Sequence, residues 1–333
     1  MIMKKGLVTF IVVNWNGEEL LADCLNSLEN QTYQHREIIF VDNGSLDGSL
    51  ELVRQKFPSV RIVPLPENRG FAGGNNAGLA FANGEFIAVV NTDVVLDKLW
   101  LDHMIAALTT DEGIGVCAAR IMIAGTEYID SIGEAITTAG NAYKLGEYEV
   151  SCELFLKYRL VGASAAAATY RRSMLDAIGF FDDDFYVNVE DSDLHMRAWL
   201  AGWKCKHVPE SIAYHHVSST IGRLSDNSIY YLSRNTEWLW LKNMPFSLMA
   251  RYVHHRLAFE VMAAIHFCLI LRKWRPYING KMAAFFGIPH MIRKRRHIQG
   301  LIRLDANQAK NGLVSLSDFV RERIRHAQRF VRS

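Results

Sequence analysis

The sequence predicts an α/β fold in which a mostly parallel sheet is flanked by helices, followed by a basic amphipathic helical C-terminal region. Apolar, β-rich runs alternate with amphipathic helical segments over the first hundred residues. Strands that are apolar throughout are typical of a parallel sheet covered on both faces. The balance of charge then changes sign near residue 242. We therefore expect one α/β domain over residues 1–242 and a separate helical region over residues 243–333.

Each element of the first region follows from its own stretch of sequence. "LVTFIVV" is a continuous apolar run, and "GEELLADCLNSL" places Leu21, Leu25 and Leu28 on one helical face. The alternation continues to residue 93, with strands expected at 7–13, 37–43, 60–65 and 86–93 and helices at 17–28, 47–57 and 73–82. Residues 130–158 are rich in glycine and lack strong periodicity, so we expect loops there.

Composition indicates a globular protein of a reducing compartment. Half of the 333 residues are hydrophobic and 22% are charged, which is typical of globular rather than disordered chains. The five cysteines are scattered without a CxxC pair, so neither a disulfide framework nor a zinc knuckle is expected. The run from Leu7 to Val13 is at the short limit for a signal peptide and has no cleavage site after it. We expect a cytoplasmic protein.

The overall net charge of +2 hides an asymmetry between the two regions. Residues 1–242 carry 20 basic and 31 acidic side chains, a net charge of −11. Residues 243–333 carry 17 basic and 4 acidic side chains, a net charge of +13. The two regions are therefore expected to have different partners.

Polar side chains follow three of the predicted strands where each strand ends. They are Asn14 and Asn16, then Asp42 and Asn43, then Asn91 and Asp93. Asn and Asp are ordinary turn formers, so one such cluster alone favours a turn. The carboxyl ends of parallel strands share one edge, where ligands bind, and three clusters at that edge favour a binding site.

The glycine-rich stretch "NRGFAGGNNAGL", residues 68–79, resembles a phosphate-binding loop only loosely. It has neither GxGxxG after the first strand nor GxxxxGK[ST], and it follows the third strand. A dinucleotide-dependent dehydrogenase is therefore not expected. Gly and Asn still allow left-handed backbone and offer amide groups to a polar ligand.

One carboxylate, Asp93, ends a fully apolar strand, where it is costly unless it is hydrogen-bonded or faces a cation. Mg²⁺ and Mn²⁺ prefer oxygen ligands and commonly use one or two carboxylates with substrate phosphates. His215 is a candidate further ligand, since imidazole suits Mn²⁺ better than Mg²⁺. The alternatives are that Asp93 caps a turn and that the histidine pair at 215–216 is only a polar strand end.

The segment "FFDDDFYVNVEDSDLHMRAWLAGW", residues 180–203, holds an unusual concentration of carboxylates. A helix is expected from Asp193 to Ala201, with Gly202 ending it. Helix capping accounts for one or two acids at its start. It does not account for Glu190, Asp191 and Asp193 together, so we interpret Asp191 as a working base.

These residues resemble the inverting glycosyltransferases of family 2, which have a GT-A fold, and among them the bacterial rhamnosyltransferase-like enzymes. The resemblance covers roughly residues 7–220. It rests on six motifs in the family's order: "VTFIVVNWNG", "VDNGSLDGS", "NRGFAGGNNAGL", "NTDV", the acidic segment and "YHHVSS".

The resemblance implies roles for the acidic and histidine positions. Asp191, with Glu190 before it, stands in the family's Glu-Asp motif and would be the catalytic base. Asp93 stands where the family binds the metal that bridges the diphosphate. His215 matches a histidine that completes the metal site in some members, with His216 the second choice.

The resemblance also implies a nucleotide-sugar site. The first loop would meet the base, the second strand end would contact base or ribose, and the glycine-rich stretch would line the pocket. Asn91 stands in place of the first acid of the family's Asp-x-Asp motif, which leaves its role open. The positions are Val13, Asn14, Asn16, Asp42, Asn43, Asn68, Asn75 and Asn91.

The implied function is a metal-dependent inverting glycosyltransferase that uses Mn²⁺ or Mg²⁺. The donor would be a dTDP- or UDP-linked sugar, with rhamnose suggested by the subgroup. The acceptor would be a glycan or a lipid-linked hydroxyl in cell-surface polysaccharide assembly. A sugar nucleotidyltransferase is a second possibility, but "NWNGEELL" lacks the basic glycine-rich loop it requires. A third is a membrane-associated scaffold of the same fold without turnover.

The C-terminal region is both apolar and basic. Its longest run without a charged residue, Val261 to Leu271, is 11 residues and too short for a membrane span of about 20. Basic residues beside Trp274 and Phe267 suit a helix lying in an anionic membrane interface. We expect attachment to the cytoplasmic face of the membrane. Packing on the core or a homodimer contact is the alternative, and nucleic-acid binding is not expected.

Overall fold

The computed structural model describes residues 3–151, 153, 158–216 and 225–330. These residues form a nine-stranded sheet with helices on both faces and a second, three-stranded sheet. The strands are β1 (Lys4–Asn14), β2 (Arg36–Asp42), β3 (Arg61–Pro64), β4 (Gly84–Val90), β5 (Val94–Leu96), β6 (Ile114–Ile123), β7 (Ile129–Ser131), β8 (Glu134–Thr137), β9 (Ala142–Lys144), β10 (Ala167–Arg171), β11 (Lys204–His215) and β12 (Leu313–Val314). The helices are α1 (Glu18–Glu29), α2 (Ser49–Lys56), α3 (Gly70–Leu79), α4 (Trp100–Thr109), α5 (Arg172–Ile178), α6 (Glu190–Leu200), α7 (Asp226–Asn243), α8 (Phe246–Ala264), α9 (Trp274–Phe286), α10 (Ile288–Gly300), α11 (Ala306–Asn311) and α12 (Leu316–Phe330).

The first half of the large sheet is parallel, as predicted, in the order β3-β2-β1-β4. Side chains of β1 alternate between two core layers because successive residues of a strand point to opposite faces. Phe10 and Val12 pack in the layer that contains Leu21 of α1, whereas Ile11 packs in the layer that contains Ala72 of α3. The expected strands and helices up to residue 93 are present, with ends shifted by three residues at most.

The second half of the sheet is mixed. β10 runs antiparallel between β4 and β6, while β11 runs parallel to β6 and antiparallel to β5. β10 begins at the end of a run of small residues, 162–168, and continues to Arg171. The fold is therefore mixed α/β: β1 to β4 pair only in parallel with one another, and the second half contains both kinds of pairing.

Residues 130–158 contain more structure than the sequence predicted. β7 extends the large sheet beside β6, and β8 pairs with β9 and with β12 near the C-terminal end. The strands β7, β8 and β9 are only three or four residues long. Gly133 lies between β7 and β8, Gly140 lies between β8 and β9, and Gly146 follows β9; all three have positive φ. Strands this short do not show the alternation of apolar and polar residues by which a strand is predicted. The glycines were the clearer signal, and they predicted loops.

α8 continues as a π-helix over Ile265–Ile270. The combined helix, Phe246–Ile270, is 25 residues long and passes the length and composition test for a membrane span, with 6% of its most apolar window buried. The sequence reading excluded a span because charged residues interrupt this stretch. In the described structure the helix continues past Arg256 and Glu260, with a kink at Tyr252, so length alone does not exclude a span.

The opposite charges of the two regions partly pair with each other. Lys294 of α10 bonds Asp182 and Asp184, and His290 bonds Asp184. Arg323 and Arg325 of α12 bond Glu147 and Glu149 at 3.0 Å each. Part of the opposite charge is therefore neutralised inside one molecule, and the expectation of different partners for the two regions stays a prediction.

Candidate active site

The ends of β1 and β2 meet, as the sequence predicted. Asn14 and Asp42 are register partners in the parallel pair, and both are buried. The Asn14 amide donates to Ser45 Oγ at 3.1 Å, and the Ser45 N–H donates to Asp42 Oδ1 at 3.1 Å. In the loop after β2, the N–H of Leu46, the residue after Ser45, donates to Asn16 Oδ1 at 2.8 Å. These side chains form one connected polar cluster at the sheet edge.

Asn43 joins this cluster to the glycine-rich segment. Its amide nitrogen donates to Asn68 Oδ1 and to the carbonyl of Gly70, each at 3.0 Å. Its amide oxygen accepts the N–H of Arg69 at 2.9 Å. The segment before α3 is thus held directly over the ends of β1 and β2.

α3 packs closely on β1 through glycine. A side chain at Gly74 would lie 2.5 Å from Val13, so no larger residue fits there. Asn75, the next residue, is fully buried, and its amide donates to the carbonyl of Phe71 at 2.9 Å. Its side-chain oxygen has no hydrogen-bond partner among the described residues, as is also true of Asn14 Oδ1. Both oxygens are available to a polar ligand.

His215 lies between two carboxylates. Its Nε2 is 3.4 Å from Asp93 Oδ1, and its Nδ1 is 3.0 Å from Asp130 Oδ2. Lys144 of β9 bonds the other oxygen of Asp130 at 2.6 Å. Burial opposes the charged imidazolium, but the hydrogen bonds to Asp130 and Asp93 outweigh it and raise the pKa of His215 to about 9. His216, the second choice, is exposed.

The residues around Asp93 fit a divalent cation held jointly with a diphosphate. Asp93 and His215 supply one oxygen and one nitrogen ligand, and Asp130 fixes the ring through the nitrogen that faces away from Asp93. Asn91 adds a buried side-chain oxygen without a hydrogen-bond partner in the described structure. Among the described residues no group of three or more His, Cys, Asp or Glu side chains is arranged to hold a metal alone. Two protein ligands suit Mg²⁺ or Mn²⁺ when substrate phosphates complete the shell.

Asp191 is half-buried in the first turn of α6. One carboxylate oxygen accepts the N–H of Ser192 at 2.8 Å, and the other accepts the N–H of Ala165 at 3.3 Å. The carbonyl of the next residue, Ala166, accepts the N–H of Asn91 at 3.0 Å. The small-residue segment therefore joins Asp191 to the strand end that carries Asp93. Burial raises the pKa of Asp191.

Glu190 and Asp191 have different environments although they are neighbours. Glu190 is 6% exposed, and its Oε2 has no hydrogen-bond partner among the described residues. Burial, with the charge of Asp191 beside it, raises the pKa of Glu190 well above its ordinary value. Asp191 is therefore the more accessible of the two carboxylates.

A buried network behind Asp191 was missed by the sequence reading. Ser192 Oγ donates to Glu134 Oε2 at 2.7 Å, and His195 Nδ1 is 2.7 Å from Glu134 Oε1. The other ring nitrogen of His195 is 3.1 Å from the hydroxyl of Tyr170. Burial raises the pKa of Glu134 to about 8 and lowers that of His195 to about 4, so both are neutral near pH 7. Glu134 and Asp130 both lie in the stretch that was expected to be loop.

The remaining acids of the segment are structural. Lys242 of α7 is buried and bonds Asp182 at 2.6 Å and Asp193 at 2.9 Å. Arg197 also bonds Asp193, at 2.9 Å, one turn further along α6. The acidic cluster therefore divides: Asp182 and Asp193 tie α6 to α7, whereas Asp191 accepts the N–H groups of Ala165 and Ser192.

The backbone just before α6 is held in an uncommon conformation. Tyr186, Asn188 and Val189 have φ values of 62°, 65° and 73°. Such a conformation costs most for a β-branched residue such as Val189. Asn235 of α7 donates to the carbonyls of residues 185, 187 and 188 at 2.8, 3.0 and 2.6 Å. α7 thus holds the turn that presents Asp191.

Comparison with known proteins gives a family. The model of glycosyl transferase family 2 matches residues 9–179. The poly-beta-1,6-N-acetyl-D-glucosamine synthase of Staphylococcus epidermidis is 24% identical over 266 residues, covering 79% of this chain and 63% of that protein. The uncharacterized protein y4gI of Sinorhizobium fredii is 30% identical over 229 residues, covering 65% of this chain and 25% of that protein. The chain spans less than two thirds of the length of these relatives.

Solved structures share the fold. S. aureus TarS 1–349 in complex with UDP superimposes with a TM-score of 0.55 at 18% identity, covering 88% of this chain and 87% of that one. GalNAc-T7 with UDP, GalNAc and Mn²⁺ superimposes with a TM-score of 0.54 at 14% identity, covering 79% and 58%. The predicted GT-A type fold is confirmed by these likenesses.

Proposed function

The chain belongs to glycosyl transferase family 2, and on that premise we propose that it is a metal-dependent inverting glycosyltransferase. The observation that supports the proposal best is the position of Asp191. Its half-buried carboxylate has a raised pKa and accepts the N–H of Ala165. The carbonyl of the next residue, Ala166, accepts the N–H of Asn91, two residues before Asp93. A proton acceptor beside a candidate diphosphate site is the arrangement that single-displacement sugar transfer requires.

In the proposed reaction Asp191 takes the proton of an acceptor hydroxyl as that oxygen forms a bond to the anomeric carbon of the donor sugar. The bond from that carbon to the diphosphate oxygen breaks on the opposite face, so the configuration inverts and the nucleoside diphosphate leaves. The raised pKa of Asp191 makes its carboxylate a stronger proton acceptor. The backbone N–H groups of Ala165 and Ser192 hold the carboxylate in place.

A divalent cation, Mn²⁺ or Mg²⁺, would be held by Asp93 and His215, with Asp130 and Lys144 behind the histidine. When bound, such an ion neutralises the charge that builds up on the leaving diphosphate. His215 must release its proton to bind the ion, and its raised pKa predicts that binding is weaker at lower pH.

The donor we propose is a UDP- or dTDP-linked sugar, bound by the strand-end cluster at Asn14, Asp42 and Asn43. UDP is the nucleotide in the TarS and GalNAc-T7 structures, and the staphylococcal relative is named for a polymer of N-acetylglucosamine. The motif resemblance instead favours a rhamnosyl donor. The acceptor we propose is a glycan or lipid-linked hydroxyl of cell-surface polysaccharide assembly, at the cytoplasmic face of the membrane.

The donor and metal are tested by calorimetric titration of the full chain with UDP, dTDP and GDP, each with and without Mn²⁺. We expect one pyrimidine nucleotide to bind more tightly with Mn²⁺ and Asp93→Ala to abolish the metal-dependent gain. Asp130→Asn should weaken that gain by about 10–100-fold, because His215 loses its orienting carboxylate. Asp111→Asn, a surface acid paired with Lys204, is the matched control. Absence of nucleotide binding to the unaltered chain would contradict the donor proposal.

The base is tested by Asp191→Asn. We expect transfer to slow by about 10²–10⁴-fold while nucleotide binding is retained, since the amide cannot accept the proton. The measurement is product formation from the donor identified by titration, with Asp111→Asn again as control. Transfer at the unaltered rate would remove Asp191 from the mechanism, and binding without any transfer by the unaltered chain would favour the scaffold alternative.

A further inference from the structure

The α8–α9 hairpin exposes many large apolar side chains. The π-helix that ends α8 contacts α9, where Phe267 stacks on Tyr277 with ring centroids 5.4 Å apart, and Glu260 of α8 bonds Lys281 of α9. Their outer sides carry what we call the apolar face: Leu257 (62% exposed), Val261 (60%), Leu269 (70%), Trp274 (53%), Ile278 (45%) and Phe285 (64%). Leu257 and Val261 lie one turn apart, as do Trp274 and Ile278, so each helix presents one apolar side. Exposed apolar patches of this kind mark interaction sites.

Three of the charged side chains in this region, Arg256, Glu260 and Lys281, pair with one another and with α7, whereas Arg251 is exposed. Arg256 is buried, and its guanidinium bonds Glu237 of α7 and Glu260 of α8 at 2.7 Å each. Lys281 of α9 bonds the same two carboxylates. Two basic and two acidic side chains thus neutralise each other between the hairpin and α7. The apolar face is left without these charges.

Basic side chains stand at the turn of the hairpin. Arg272 and Arg275 are exposed on either side of the half-buried Lys273 and the exposed Trp274. The guanidinium of Arg275 lies 5.3 Å from the Trp274 ring. An apolar helix face with tryptophan and arginine at its margin is the composition of helices that lie in a membrane interface, and each basic residue attracts anionic lipid headgroups.

We propose that the α8–α9 hairpin lies flat in the interface of an anionic bilayer, with the apolar face inserted and Arg272 and Arg275 at the headgroups. This deepens the membrane part of the proposed function, because it assigns the contact to one surface. An anionic bilayer accounts for the apolar face and the basic turn in one contact, whereas a second copy of the chain would have to place an acidic surface beside an apolar one. The buried ion cluster faces α7, on the protein side, so the hairpin docks without bringing charge into the lipid.

The test is flotation of the full chain with phosphatidylcholine vesicles and with vesicles that also contain phosphatidylglycerol. We expect binding to the anionic vesicles that weakens with salt. Leu257→Glu and Val261→Glu should each weaken binding about 10-fold or more, because a charge replaces an inserted side chain. Arg272→Glu with Arg275→Glu should remove the preference for anionic vesicles. Leu99→Glu, at an exposed apolar residue that precedes α4, is the matched control.

Outcomes of this test are separable from those of the catalytic proposal, because Asp191→Asn should bind vesicles as the unaltered chain does. Failure of the unaltered chain to float with either vesicle would overturn the inference. If the unaltered chain does not float but associates with itself in sedimentation without lipid, and Leu257→Glu abolishes that association, the apolar face binds a second copy instead. Resistance to alkaline carbonate extraction would indicate a spanning helix and also contradict flat docking.

Discussion

At the scale of single residues, Glu134 shows how the interior shapes the predicted base. It contacts Ser192 and His195, which follow Asp191 on α6 by one and four residues. Glu134, Ser192 and His195 are all buried. The sequence predicted Asp191 because it stands among other acids at a helix start. It did not predict Glu134 or Asp130, because each is a single acid in a glycine-rich stretch and gains its role only when β7 and β8 fold beside α6 and β11. Roles created by such long-range contacts leave no local pattern.

Glu134 gives the molecule a pH-dependent stability. Its pKa rises from an ordinary 4.5 to about 8, so the folded chain holds a proton that the unfolded chain has released. The free energy of unfolding should therefore fall as pH rises through this range. His195, with a pKa lowered to about 4, contributes in the opposite direction, and only below its ordinary value of 6.5.

We predict that Glu134→Gln reduces the loss of stability between about pH 6.5 and about pH 8. The measurement is urea unfolding of the unaltered chain and the variant at both pH values. Glu210→Gln, an exposed acid on β11, serves as control and should follow the unaltered chain. An equal change in all three proteins would show that Glu134 is already ionised at the lower pH.

At the scale of elements, α7 connects the site to the C-terminal helices. Lys242 and Asn235 on this helix hold the acidic segment and the strained turn before α6, and Glu237 bonds the hairpin on the other side. Long elements such as α1 and β1 were predictable because their apolar periodicity extends over many residues. The helix α6 was predicted to begin at Asp193 but begins three residues earlier, at Glu190, because its opening acids resembled a loop. The division of the chain at residue 242, at the end of α7, stays a prediction.

Removing the shared lysine should destabilise the fold strongly. Lys242→Met leaves Asp182 and Asp193 buried with fewer counter-charges, and we expect a loss of about 3–5 kcal/mol in the free energy of unfolding. Urea unfolding at constant pH measures it. Lys206→Met, at an exposed lysine on β11, should change stability by less than about 0.5 kcal/mol. Similar values for the two variants would mean that Arg197 and Asn243 alone satisfy Asp193.

At the scale of the whole molecule, the charge asymmetry has two consequences. Some of the basic side chains of the C-terminal region pair with Asp182, Asp184, Glu147 and Glu149. The sequence could not reveal these pairs, because the partners are more than a hundred residues apart. Other basic side chains are exposed at the hairpin turn, as are Arg272 and Arg275, and on α10, as are Arg293 and Arg296. The fold class itself was predictable from the first hundred residues, whereas the mixed half of the sheet was not.

A fragment that ends at Asn243 should lose cooperative folding. Trp199, Leu200 and Leu239 pack in one core cluster with Leu248 of α8 and Met291 of α10, and the truncation exposes that surface. The measurement is thermal unfolding followed by near-ultraviolet circular dichroism, with the full chain as reference. A sharp transition at the same temperature would show that residues 1–243 fold on their own.

The ion cluster of Arg256, Glu260, Glu237 and Lys281 also bears on how the chain is made. Translation releases α8 from the ribosome before α9, so for a short interval the helix lacks Lys281. During that interval Glu260 and Glu237 can pair with Arg256 but lack their second basic partner. Arrival of Lys281 at Glu237 and Glu260 completes the ion cluster, so the contact between α7 and the two helices after it depends on the last of them to be made.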